Sequence, residues 1–122
     1  MLSFGSRRIF LATLPCDMRW GAPRLSGWVE GQPGVHPFTG DCFVFLGRDG
    51  RRVKILVWDV TGYWLCSKRL EGGRFVRPVA SVGQDGRPTV ALSSAELAML
   101  LEGISVHRAV YSQHRAGPDG NQ

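Results

Sequence analysis

The sequence predicts a single α+β domain, an antiparallel meander sheet of about five strands with two helices packed on it. Three observations predict this class. Short apolar runs with strand-like alternation are separated by turn residues, one segment has helical periodicity, and 122 residues suit a single hydrophobic core. We expect the domain to span residues 1–106, followed by a polar, flexible tail at residues 107–122.

The N-terminal part predicts one strand and one short helix. Residues 8–13 alternate as in a strand, with Ile9 and Leu11 on one face. Apolar positions at helical spacing follow, but Pro23 would break the interior of a helix and fits only its first turn. We therefore expect a turn and then a helix over residues 23–30.

The middle of the chain predicts a meander. A buried strand at residues 42–47 leads into "RDGR", in which Asp-Gly is a strong hairpin signal. Strands at residues 52–58 and 63–70 follow, joined by "DVTG", where we expect Gly62 to adopt a positive φ. Beyond them, "EGG" allows a reversal into a strand at "RFVRP", and "VGQDGRPTVAL" allows a short hairpin.

The clearest helix is "SSAELAMLLEG" at residues 93–103. Ser93 and Glu96 have the spacing of a capping box, and Gly103 fits the C-terminal end. We expect its apolar stripe to pack on the sheet, with the groove of a partner protein as the alternative. The stripe consists of Leu97, Leu100, Leu101 and Ile104.

The net charge of +5 is concentrated in one region. Residues 48–77 contain eight basic and three acidic residues, so the remainder of the chain sums to zero. This excess favours a surface that binds phosphates or an acidic partner, whereas the alternative is that the arginines only solvate the sheet. The candidate binding residues are Arg48, Arg51, Arg52, Lys54, Lys68, Arg69, Arg74 and Arg77.

Strand alternation predicts which of these charges share a face. Pairing across "DVTG" should bring Lys54 near Ser67, on the same face as Arg52. Arg69 rather than Lys68 should then join Arg52 and Lys54.

Aromatic side chains lie in the same hairpin. The pairing that brings Lys54 to Ser67 also places Trp58 near Tyr63, with Trp64 next along the chain. These rings could stack on nucleic-acid bases. For the tryptophans, packing in the core is the favoured interpretation.

The sequence offers little support for an enzyme. It has no G-x-x-x-x-G-K-[ST], G-x-S-x-G or H-E-x-x-H motif, and its aspartates lie at turns or caps, where local hydrogen bonding explains them. We therefore predict no catalytic residue, metal, cofactor or small-molecule substrate. A Cys42–His36 nucleophile pair and the carboxylate cluster of a small metal-dependent nuclease remain as alternatives.

Cysteine usage and hydropathy predict a cytoplasmic protein. Three cysteines without a C-x-x-C pair argue against a disulfide framework or a zinc site. The chain has no membrane-spanning apolar run, and its N-terminus matches a secretion signal poorly.

Three segments in matching order are similar to a known family. They are "IFLATLPCDMR" at 9–19, "HPFTGDCFVFLGRDGRRVKILVWDVTGYWLCSKRLEGGRF" at 36–75 and "LSSAELAMLLEGI" at 92–104. They resemble the accessory protein encoded by the second open reading frame of insertion-sequence-66 bacterial transposable elements, often labelled TnpB.

The resemblance implies a process more firmly than a mechanism. Such a protein is encoded beside a second accessory protein and a large transposase with an acidic catalytic triad, and it is needed for transposition. The implied partners are therefore the transposase, the second accessory protein and the DNA of the element, and Arg19 in the matching motif joins the candidate residues. Trp20, Pro23 and "VEGQPGVHPF" depart from the family pattern and favour a degraded first helix.

Three functional hypotheses follow. The first is a non-catalytic accessory factor that binds nucleic acid, the transposase or both through the hairpins at residues 48–77. The second is a protein adaptor that contacts the transposase without touching DNA. The third is the metal-dependent nuclease, which requires clustered carboxylates in the folded chain.

Overall fold

The fold is described by residues 5–76 and 88–103 of a computed structural model. Five strands form one sheet in the order β4-β3-β2-β1-β5, and two helices pack against it, so the α+β class is confirmed. Along the chain the elements are β1 (Ile9–Ala12), α1 (Ala22–Glu30), β2 (Cys42–Leu46), β3 (Arg52–Asp59), β4 (Gly62–Arg69), β5 (Thr89–Leu92) and α2 (Ser94–Leu101). The predicted tail at 107–122 lies outside the described residues.

The sheet is mixed, so the prediction of a purely antiparallel sheet was wrong. The meander β2-β3-β4 is antiparallel as expected, but β1 pairs with β2 in parallel, with Ile9 opposite Cys42. The connection between β1 and β2 contains α1 and is long enough for the crossover that parallel neighbours require. β5 then pairs antiparallel with the other side of β1.

The two helices lie on opposite faces of the sheet, and each covers its own core. On the α2 face, Leu97 and Leu100 pack with alternate side chains of β1, β2 and β3. On the α1 face, Leu25 and Val29 pack with the intervening side chains, including Phe43 and Leu56. The sheet is therefore the middle layer of three, and the side on which a strand residue lies decides which core it joins.

Both helices begin as their sequences predict. Pro23 occupies the first turn of α1, and the helix runs for nine residues, so the expected degradation of this helix is not observed. Ser93 and Glu96 form a complete capping box at the start of α2, and Gly103 has a φ of 76° just after its end. Within the described ranges neither helix is long and apolar enough to cross a membrane.

The two hairpin turns differ in which type of residue adopts the positive φ. Gly50, in "RDGR", has a φ of 74°, which glycine adopts without strain. In "DVTG" the prediction for Gly62 was wrong, because Val60 is the residue with positive φ (46°). The N–H of Thr61 donates a hydrogen bond to the carbonyl of Asp59, which makes a tight turn with the β-branched Val60 at its centre.

The predicted strand at "RFVRP" does not form in its described part, residues 74–76. Phe75 instead buries its ring in the α2-face core, while its N–H donates to the carbonyl of Gly50. The segment thus crosses the end of the β2–β3 hairpin. The first part of the second proposed hairpin, residues 82–87, lies outside the described residues, and residues 89–92 form β5.

Candidate nucleic-acid interface

The β3–β4 register brings two arginines face to face. Arg52 pairs with Arg69, and Lys54 pairs with Ser67, which confirms the predicted pairing and face. In the adjacent pair, the N–H of Leu70 donates to the carbonyl of Arg51. Because hydrogen-bonded and non-hydrogen-bonded pairs alternate in an antiparallel sheet, Arg52 and Arg69 form a non-hydrogen-bonded pair, the type in which the two Cα atoms lie closer together. Two positive charges are therefore held together on the α1 face.

A second group of basic residues adjoins this pair. Arg19 follows β1 and Arg48 follows β2, and both lie beside Arg52 around a cavity of about 420 Å³. A neighbouring cavity of about 370 Å³ is lined by Arg52, Lys54 and Arg69. We refer to these five as the basic surface, which consists of Arg19, Arg48, Arg52, Lys54 and Arg69.

Met18 lies between the two cavities and lines both. A side chain added at Gly47 would come within 2.8 Å of Met18 Cγ, so a glycine lets the β2–β3 loop approach the loop after β1. The loops are also joined by a bridge between Cys16 and Gly47. Sequence alternation identified the strand charges, but Met18 and its contact with the second loop gave no such signal.

The members of the basic surface differ in how they are held. Lys54 Nζ donates to the carbonyl of Trp20 at 2.8 Å, so its charge is fixed at the edge of the α1 face. Arg19 forms a bidentate ion pair with Asp17, in which Nη2 lies 2.8 Å from Oδ2 and Nε donates to Oδ1. Side-chain hydrogen bonds from Arg19 keep the pKa of Asp17 well below its usual range, so this carboxylate stays ionised.

The remaining cations of this surface are available to a ligand. Within residues 5–76 and 88–103, Arg48, Arg52 and Arg69 make no ion pair with another residue. All three are exposed. The side chain of Asp49 also lines the first cavity, but it accepts a hydrogen bond from the N–H of Arg51.

The other predicted charges are held differently. Lys68 also lines the second cavity, but its ammonium group lies on the α2 face, where Nζ donates to the carbonyl of Leu101 at 2.8 Å and lies 3.7 Å from a carboxylate oxygen of Glu102. Arg51 lines neither cavity, and Arg74 packs its aliphatic part beside Gly50. Arg77 lies outside the described residues.

An aromatic cluster occupies the opposite end of the hairpin. The rings of Trp58 and Tyr63 have centroids 5.0 Å apart, and Phe38 lies 5.0 Å from Trp58. The Tyr63 and Ser26 hydroxyls share a hydrogen bond that ties β4 to α1. Trp58 is half-buried, whereas Trp64 is 63% exposed on the α2 face, so core packing describes Trp58 only in part and Trp64 not at all.

Two of the described aspartates serve local structure, as their positions predict. The side chains of Asp17 and Asp49 each accept the N–H two residues ahead. Buried Asp41 differs, because it accepts two bonds from Arg8, which is distant in sequence, as well as one from Thr39. Among the described residues, no three acidic, histidine or cysteine side chains come together as metal ligands would. No observation on these residues favours the nuclease hypothesis.

Comparison with known proteins gives a consistent result. The family model described as "IS66 Orf2 like protein" matches residues 7–111. The uncharacterized protein y4hO of Sinorhizobium fredii (strain NBRC 101917 / NGR234) is 41% identical over 97 residues, which cover 80% of each chain. The uncharacterized protein y4jC of the same strain is 33% identical over 97 residues, covering 80% of this chain and 79% of the relative. No solved structure matches.

Proposed function

Because this chain belongs to the family of IS66 Orf2-like proteins, we propose that it is a non-catalytic accessory factor for transposition and that it binds DNA through its basic surface. The DNA would be that of an insertion-sequence-66-type element in the bacterial cytoplasm. The partners would be the transposase and the second accessory protein of that element. The family supports the process, and the arrangement of charge supports the mode of binding.

The observation that carries the DNA-binding proposal is the direct pairing of Arg52 with Arg69. Like charges opposite each other on a sheet destabilise it, and here no ion pair from a described residue offsets that repulsion. A phosphate between the two guanidinium groups would offset it, since each can bond a phosphate with two N–H groups. Arg48 lies near enough to Arg52 to line the same cavity and extend such contacts.

Binding through phosphates has a measurable signature. Each phosphate neutralised by a basic side chain releases condensed counterions, so affinity falls steeply as salt rises. Binding to duplex DNA from the ends of an element is therefore measured at several salt concentrations. We expect the logarithm of the association constant to fall linearly with the logarithm of salt concentration.

A matched pair of variants tests where the contact lies. Arg69→Gln and Lys68→Gln each remove one positive charge from neighbouring positions, but on opposite faces of the sheet. Arg69→Gln should lower the magnitude of the salt slope by about one, while Lys68→Gln should leave it near the wild-type value. Changing Arg52, Lys54 and Arg69 together to glutamine should lower it by about three.

Two outcomes would reject the proposal. If Arg69→Gln and Lys68→Gln reduce the slope equally, the binding depends on net charge and not on the basic surface. If wild type and the triple variant bind with equal, weak and salt-insensitive affinity, DNA is not the ligand.

An adaptor role is supported by a separate observation. Phe38 and Val60, near the tip of the β3–β4 hairpin, are 56% and 84% exposed and offer apolar contacts to a protein. Leu97 and Leu100 of the α2 stripe are buried, so these two side chains are not exposed for such contacts. Loss of transposase binding in Phe38→Ser, with the salt slope for DNA unchanged, would support an adaptor surface at the tip.

A further inference from the structure

We infer that the outer edge of β4 pairs with β4 of a second copy of this chain, joining two five-stranded sheets into one continuous sheet of about ten strands. The inference rests on the pairing pattern of β4 and does not depend on the proposed DNA binding. Within the described part of the chain, β4 is the last strand on its side of the sheet.

The two edges of the sheet differ in how open they are to pairing. β5 has four residues, whereas β4 has eight that pair without interruption with β3. Natural edge strands are usually protected by shortness, proline, a bulge or charges. β4 has no proline and no bulge, and its only charges, Lys68 and Arg69, lie together at one end.

The backbone groups at the open edge can be identified. Leu70 donates to Arg51, so alternation assigns the even-numbered residues of β4 to hydrogen bonds with β3. The N–H and C=O groups of the odd-numbered residues therefore point away from the sheet. These residues are Tyr63, Leu65, Ser67 and Arg69.

One antiparallel register satisfies all of these groups. If the two-fold axis passes between the two Cys66 residues, Leu65 bonds with Ser67 of the second copy and Tyr63 bonds with Arg69. Every outward N–H and C=O of β4 then has a partner. A two-fold axis at Leu65 would instead pair Arg69 with Thr61, which lies beyond the strand.

The same register is favourable for the side chains. Trp64 lies opposite Lys68 of the second copy and Tyr63 lies opposite Arg69, so each cation meets an aromatic ring and no like charges face each other. Trp64 is 63% exposed in the single chain and would be covered in the pair. Tryptophan and tyrosine are frequent anchors of protein interfaces. Both basic surfaces would lie on the same face of the joined sheet, because the axis is perpendicular to it.

A proline at a chosen position tests the pairing directly. Ser67→Pro removes an N–H that points outward and no hydrogen bond to β3, which is where strands tolerate proline. We expect the wild type to have twice the 13.4 kDa chain mass by light scattering after size exclusion, and Ser67→Pro to have the mass of one chain. Ser67→Ala is the matched control and should remain a pair.

Trp64→Lys provides a second test that leaves every backbone bond intact. It places a lysine opposite Lys68 of the second copy, so the dissociation constant of the pair should rise at least about tenfold. Circular dichroism and the melting transition show whether either variant remains folded. A folded Trp64→Lys that pairs as tightly as wild type would reject the register.

Cross-linking tests the position of the axis. The two Cys66 residues would form a non-hydrogen-bonded pair with Cα atoms about 4.5 Å apart, within the range of a disulfide. Diamide should take two hydrogen atoms from the two thiols and leave a disulfide-linked dimer in wild type and Cys16→Ser, but not in Cys66→Ser. Cys42 is buried, and burial raises the pKa of its thiol to about 11, so it should not compete.

Three results would overturn the inference. The first is a wild type with the mass of one chain at all concentrations up to the solubility limit. The second is a dimer that persists in folded Ser67→Pro. The third is a diamide cross-link that requires Cys16 instead of Cys66.

Discussion

The two faces of the sheet are formed by the same strands, but their side chains have different surroundings. On the α2 face, the inward side chains of β1, β2 and β3 are apolar and buried, and Lys68 at the margin is held by the end of α2. On the α1 face, apolar packing under α1 gives way at one end to the basic surface, where Arg52 and Arg69 are exposed. One face is therefore chiefly a core, whereas the other is a core with the basic surface beside it.

The difference shows how much a single residue of register decides. Lys68 and Arg69 are neighbours in the chain and carry the same charge, yet they lie on opposite faces because successive side chains of a strand alternate. A slip of one residue in β4 would exchange them and move Tyr63 and Leu65 away from the α1-face core. The turn at 59–62 and the apolar side chains of β3 and β4 together prevent that slip.

The largest expected effect tests the α2 face as a core. Leu100 is fully buried and Leu101 only partly, although both were predicted to be core residues. Leu100→Ala should lower the free energy of unfolding by about 2–5 kcal/mol, as is typical for large-to-small changes at buried sites. Leu101→Ala, the matched control one residue away, should cost clearly less in the same urea-unfolding measurement. Equal costs would mean that the two leucines are buried to the same extent.

A smaller effect concerns the turn that holds the two faces in register. Val60 has a φ of 46° and is 84% exposed, so it carries backbone strain and makes little packing contact in return. Val60→Gly should relieve the strain and raise the melting temperature, with a gain on the order of 1 kcal/mol that is partly offset by the greater freedom of glycine in the unfolded chain. Val60→Ala serves as the control and should gain less. A lower melting temperature for Val60→Gly would show that the valine stabilises the turn.

The smallest expected effect is a pH dependence at the margin of the basic surface. The pKa of Asp17 in the folded chain is depressed by its hydrogen bonds from Arg19, so the folded chain releases this proton more readily than the unfolded one. The resulting stabilisation is present above about pH 4 and is lost as the pH falls towards the depressed pKa. Asp17→Asn should therefore make the melting temperature less sensitive to acid below about pH 4. An unchanged acid profile would show that Asp17 has the same pKa in both states.

Sequence alone predicted the local elements and most of their faces. Alternation in β3 and β4 depends only on strand geometry, which is why the opposition of Lys54 to Ser67 is confirmed. The capping box of α2 and the place of Pro23 in α1 are similarly local. These features require no knowledge of which elements become neighbours.

What sequence could not predict depends on distant contacts. The parallel pairing of β1 with β2 depends on where α1 packs. Whether "RFVRP" forms a strand depends on whether Phe75 packs in the α2-face core. Asp59 pairs with Gly62, so the loop between the two strands contains only Val60 and Thr61. The positive φ therefore falls on Val60 instead of Gly62. The proximity of Arg19 to Arg48 and Arg52 likewise arises only when two loops meet.

The place of β1 in the sheet has a consequence for the newly made chain. β1 is the first of the described strands to be synthesised, but its neighbours are β2 and β5, the second and the last of them. It therefore gains its second neighbour only when synthesis has passed residue 92, whereas the β2–β4 meander is complete after residue 69. Contacts close in sequence form with the smaller loss of chain entropy, so the hairpin bearing Arg52 and Arg69 can be assembled before the ribosome has supplied the strand that completes the sheet.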